Sequence, residues 1–113
     1  MNSVIRLTGL TREDRFSVTA RLGEALSSAG GWILDHHQFS NLALCISFEI
    51  QRKYVSRLHS ALAATGLNLS PESKEALASL TSSLDVRDEN LTGTLQAMFI
   101  HDEPEVPVPG PLG

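Results

Sequence analysis

The chain has 113 residues, 42% of them hydrophobic and 19% charged, with one cysteine and a formal net charge of −4. These are the proportions of a single globular domain, not of a disordered chain. They supply no clustered Lys and Arg surface for nucleic acid, the lone Cys45 excludes an internal disulfide and a cysteine-rich zinc site, and no run approaches the ~18 apolar residues of a membrane span.

Residues 3–8 alternate, with Ile5 and Leu7 on one side and Arg6 and Thr8 on the other, the period of a half-buried strand. This stretch reads as a strand and not as a signal peptide, so a cytoplasmic protein is expected. Gly9 and Leu10 follow as a turn. Thr11 then reads as an N-cap with Asp14 three residues on, opening a helix from about Arg12 to Ser28. Val18, Leu22, Ala25, Leu26 and Ala29 fall at helical spacing and should face the core, and Gly30-Gly31 should end the helix.

Residues 32–38 read as a second strand and 41–51 as a third, joined by a short turn at Phe39-Ser40-Asn41. Leu42, Leu44, Ile46, Phe48 and Ile50 share one face of the third strand. Ala43, Cys45, Ser47 and Glu49 share the other. The sheet is therefore expected to have one strongly apolar face and one small, polar face left for solvent or a partner. A second helix is expected over 52–65, with Val55, Leu58, Ala61, Leu62 and Thr65 inward and Gly66 as its stop. Ser70-Pro71 reads as a cap and first-turn proline for a third helix over 71–83, burying Leu77, Leu80 and Leu84. Residues 85–92 read as a loop and 94–101 as the last strand. A domain over 1–102 is then followed by a tail, 103–113, that holds four of the five prolines.

The succession strand, helix, strand, strand, helix, extra helix, strand predicts an α+β domain of the ferredoxin-like βαββαβ plan. Its antiparallel sheet should carry the helices on one face, with an extra short helix before the last strand. Gly9, the Asp14-Arg15 pair and the run Gly31-Trp32-Ile33-Leu34-Asp35 are similar to the corresponding motifs of ACT domains. The resemblance is nearest to stand-alone proteins related to the glycine cleavage system repressor and to the ACT domain that precedes formyltetrahydrofolate deformylase. It covers about residues 3–66 and, more weakly, the last strand. Phe16-Ser17 stand where that family has Pro-Gly, and Trp32 stands where it often has asparagine.

The resemblance implies a regulatory, non-enzymatic domain without cofactor or metal, working as a homodimer that binds a small amino-acid effector and modulates a partner protein. The effector would sit between the first loop and the first helix. Gly9, Leu10, Thr11 and Arg12 are the expected site, Asp14 or Arg15 would add charge, and Trp32 and Ile33 would complete it. Capping alone also accounts for Thr11 and Asp14. A protein-interaction or dimerisation module without a small-molecule ligand is the alternative. Nucleic-acid and membrane partners are not expected.

Other chemistry-bearing residues are scattered. His36 and His37 are adjacent, so on a strand they point to opposite faces and cannot converge on one metal. Asp35 and His37 share a face and form the best acid–base pair, the basis of a second alternative, a small enzyme. Cys45 reads as a packed side chain. Arg52, Lys53 and Arg57 read as a solvated helix face.

Overall fold

The computed structural model describes residues 4–40, 42–81 and 89–100. In chain order these form β1 (Val4–Thr11), α1 (Arg15–Ser28), β2 (Trp32–Ser40), β3 (Ala43–Gln51), a 3-10 turn (Arg52–Tyr54), α2 (Val55–Ala63), β4 (Asn68–Leu69), α3 (Pro71–Thr81) and β5 (Asn90–Phe99). Leu84 and the tail 103–113 lie outside the described residues, as does the first half of the expected loop over 85–92, whose last three residues belong to β5.

The five strands make one sheet in the order β2-β3-β5-β1-β4. This corrects the expected plan. The βαββαβ succession is already complete at β4, a two-residue strand that pairs antiparallel with Gly9 and Leu10. The α3–β5 unit comes in addition, and β5 enters between β3 and β1. It runs parallel to β1 over Val4–Thr92 to Thr11–Phe99 and antiparallel to β3, so the sheet is mixed and the strand order is not ferredoxin-like. The broader expectation of a mixed helix and sheet domain holds.

Alternation explains the packing. Ile5 and Leu7 of β1, Leu44, Ile46, Phe48 and Ile50 of β3, and Leu91, Leu95, Ala97 and Phe99 of β5 all point to one face. There they meet Val18, Leu22 and Leu26 of α1, Val55, Leu58 and Leu62 of α2, and Leu77 of α3. Each helix buries one stripe at 3.6-residue spacing, so all three lie on the same side of the sheet. The interior of β5 also needs a missing side chain. Gly93 faces Phe48 in register, and a Cβ there would lie 2.5 Å from the Phe48 ring.

Helix ends explain the local boundaries. Asp14, not Thr11, caps α1: its Oδ2 accepts the Ser17 N–H at 2.9 Å. Thr11 stays in β1, where its Oγ1 accepts the Glu13 N–H at 3.1 Å. At the other end Gly30 adopts φ 93°, with Gly30 N–H to Ser27 O and Gly31 N–H to Leu26 O. That pair of bonds is a Schellman motif, which a left-handed glycine makes possible.

Candidate functional site

The residues expected to hold an effector are not gathered in one place within the chain. Gly9 lies inside β1 and not in a turn, and its α-carbon faces Leu67 so closely that a Cβ would sit 2.7 Å from Leu67 Cγ. Leu10 points to the opposite face and is exposed. Thr11 is buried, while Arg12 is exposed at the turn into α1. Arg15 stacks its guanidinium over Phe16 at 4.5 Å. Trp32 and Ile33 open β2, at the far end of the sheet. The register Trp32–Glu49, Glu49–Thr92 and Thr92–Val4 aligns Trp32 with the first residue of β1, three strands away and about 23 Å of strand from Thr11.

The start of α1 is already filled by the chain's own acids. The Ser17 N–H, then the Ser17 hydroxyl, hold the Asp14 carboxyl below the ordinary carboxylate range. Next to it Glu13 pairs with Arg21 at 2.7 Å, and Arg21 also donates to Thr65 O at 3.2 Å. A ligand carboxylate arriving at these N–H groups would meet two like charges.

Asp35 and His37 lie on one face of β2, beside Ser47 and Cys45 of β3, and both are exposed. The His37 ring meets Phe39 edge to face, with centroids 4.6 Å apart. His36 points to the helix side, beside Ile46. Cys45 is half-buried mid-strand. Among the described residues no three of His, Cys, Asp and Glu gather as metal ligands. The basic residues near α2 are engaged as well: Arg52 Nε lies 3.1 Å from Glu89 Oε1, and Lys53 and Arg57 lie over the Tyr54 ring at 5.3 and 4.7 Å.

What stands out instead is surface that no described residue covers. The face of the sheet away from the helices carries cross-strand rows: the mainly polar Asp35, Ser47, Thr94 and Arg6 in one, His37, Cys45, Gln96 and Thr8 in the next, and in a third Ser40, Ala43, Met98 and Leu10, which ends in two exposed large apolar side chains. No described helix packs on this face. The edge strand β2 is exposed along all nine residues. Trp32 (44%), Ile33 (43%), Leu34 (51%) and Phe39 (61%) are all well exposed, so neither face of β2 is covered by the described residues. The small face of β3 signalled the open surface in the sequence. The exposure of β2 had one signal, the absence of clean alternation in Trp-Ile-Leu-Asp-His-His.

A concavity of about 490 Å³ lies at the opposite edge, between β1, β4 and the start of α3. Gly9, Leu10, Leu69, Pro71 and Met98 give it mostly apolar walls, with Ser70 at its side. Two of the expected site residues, Gly9 and Leu10, border this cavity together. Comparison of the chain with protein-family models, curated proteins and solved structures gives no match. No described helix is long and apolar enough to cross a membrane.

Proposed function

We propose that this chain is a small regulatory binding module that acts through its sheet by docking a protein partner, and that it carries no reaction centre of its own. The observation behind this reading is the one-sidedness of the sheet: three helices on one face, and an opposite face that no described element covers and that runs out to an exposed edge strand carrying Trp32, Ile33, Leu34 and Phe39. Asp35 and His37 lie exposed on that open face, beside Ser47 and the half-buried Cys45 of β3, on a strand exposed along its length, so they fit contact better than catalysis. The test is sedimentation across a wide concentration range, for the wild type and for Leu10→Glu and Thr94→Glu on the open face. A binding role predicts association, with itself or with an added partner, that depends on β2 or on the open face. Monomeric behaviour throughout, with both variants indistinguishable from wild type in every binding assay, refutes it.

A second reading keeps the ACT-like expectation of a small amino-acid effector. The concavity beside Gly9 and Leu10 favours it, since its apolar walls suit an aliphatic side chain while the Ser70 hydroxyl offers one polar contact. A thermal-shift screen against amino acids tests it. A ligand at 100 times its Kd adds roughly 2.7 kcal/mol, and no shift at millimolar concentration removes the reading.

A further inference from the structure

A sheet edge presents unpaired N–H and C=O groups that accept another strand, and this sheet treats its two edges differently. Beside β1, the short β4 pairs with Gly9 and Leu10, and the first turn of α3 closes what β4 leaves open. There Ser70 N–H donates to Thr8 O at 2.9 Å, and Thr8 N–H donates to Ser73 Oγ at 2.8 Å. Beside β2, no described residue pairs with the outer side of the strand, and apolar side chains crowd it.

The β2 sequence carries its own complement. When two copies pair antiparallel about a two-fold axis perpendicular to the sheet, the axis passes through one residue and its own counterpart, and each neighbour faces the residue equally far on the other side. The register irregularities at Ile33/Asp35 and Gln38/Ser40 confine the regular backbone to residues 35–38, so the axis belongs near its middle. Centred on Asp35, the register sets two carboxylates against each other. Centred on His37, it sets Asp35 against Phe39 and wastes its charge. Centred on His36, it sets Asp35 of each copy against His37 of the other, twice, on the open face where both already point. Opposite partners directly across strands stabilise a pair and like charges oppose it. Trp32, Ile33, Leu34 and Phe39 then flank the ladder on both sides of the axis and lose water as the copies meet.

We propose that a second copy of this chain docks antiparallel along β2 in the His36-centred register, joining two five-stranded sheets into one. The inference rests on the reading that the sheet is the working surface.

The test is sedimentation of charge variants. Asp35→Lys sets a cation against the partner's His37, and His37→Glu sets a carboxylate against the partner's Asp35. Each alone is expected to weaken the wild-type dimer roughly tenfold or more, two cross-strand pairs being altered at once. Mixing the two variants restores association, because the introduced ammonium then meets the introduced carboxylate while the native Asp35 meets the native His37. The double variant D35K/H37E also dimerises. Circular dichroism of each variant should match wild type, since both positions are exposed. The proposal is overturned by a wild-type chain that stays monomeric, by single variants that dimerise as wild type does, or by a mixture no better than its components. If instead Leu10→Glu or Thr94→Glu abolishes the dimer while Asp35→Lys does not, the β2 register is wrong and the broader sheet-docking function stands.

Discussion

Gly93→Ala is the sharpest probe of how this sheet is built. Gly93 sits in β5 with Ile5 of β1 on one side and Phe48 of β3 on the other. A Cβ added there would lie 2.5 Å from Phe48 Cζ and 2.9 Å from Cε1 and Cε2. Carbon atoms in contact prefer about 3.5–4.0 Å, so the ring would have to shift by about an ångström. It has nowhere to go, because Phe48 is fully buried beneath the helices. Overpacking of this kind costs about 1–3 kcal/mol, which for a domain of this size lowers Tm by about 4–20 °C. Phe48→Leu should cost stability by itself through the cavity it leaves, yet lose less, or even gain, in the Gly93→Ala background. The assay is a double-mutant cycle from urea or thermal unfolding, with an expected coupling of about 0.5–3 kcal/mol in the rescuing direction. Gly93→Ala within about 0.5 kcal/mol of wild type, or strict additivity with Phe48→Leu, would refute the packing argument.

Three further outcomes are expected. Ser73→Ala removes the acceptor of the Thr8 N–H and should cost about 1–3 kcal/mol in chemical denaturation, with faster amide exchange at Thr8; unchanged exchange there would count against the closed β1 edge. Gly9→Ala drives a Cβ into Leu67 and the Asn68 carbonyl and should destabilise by about 1–3 kcal/mol with no ligand present, so it reports on β1–β4 packing and not on an effector; full stability would contradict that. Asp14 stabilises α1 as a carboxylate, and its folded pKa lies below the ordinary value because Ser17 donates to it. That contribution is present above the ordinary carboxylate range and is lost as pH falls through the lowered value. The Tm gap between wild type and Asp14→Ala should therefore close in acid, and a gap independent of pH would show that the charge is not what matters.

Much of the core was legible because its residues obey a single period. The stripe Val18, Leu22, Ala25, Leu26 and Ala29, the alternation from Leu44 to Ile50 and the set Val55, Leu58 and Leu62 all face the core as their spacing requires. The errors have physical causes. Leu42 continues the β3 alternation in sequence, yet it lies in the hairpin turn and is exposed. β4 has two residues, too few for any pattern, and it took over the position expected for the last strand. β5 begins at Asn90, earlier than expected, because the polar stretch over 85–92 reads as a loop. Gly93 is there for the Phe48 ring, a requirement set by another strand and invisible locally. Strand order is a long-range property, and nothing in the alternation of β5 says that it lies between β1 and β3. The expected effector residues were grouped by sequence proximity and resemblance, but Gly9 and Thr11 face inward for packing, while Trp32 begins the far edge.

The two surfaces proposed here lie on opposite edges of one sheet, which makes their relation measurable. The concavity by Gly9 and Leu10 borders β1 and β4, and the β2 edge is reached only across β5 and β3. An effector at the first site can change pairing at the second only if it binds the paired and unpaired chains with different affinity. Any such coupling is reciprocal: the factor by which effector tightens the dimer equals the factor by which dimerisation tightens effector binding. Ligand titrations above and below the dimer dissociation constant, compared with sedimentation with and without ligand, give that factor twice, independently. Equal factors above one would make the chain an effector-controlled dimerisation switch. Two factors of one would leave the concavity, if it binds anything, without a regulatory role, and the sheet edge as the surface that carries function.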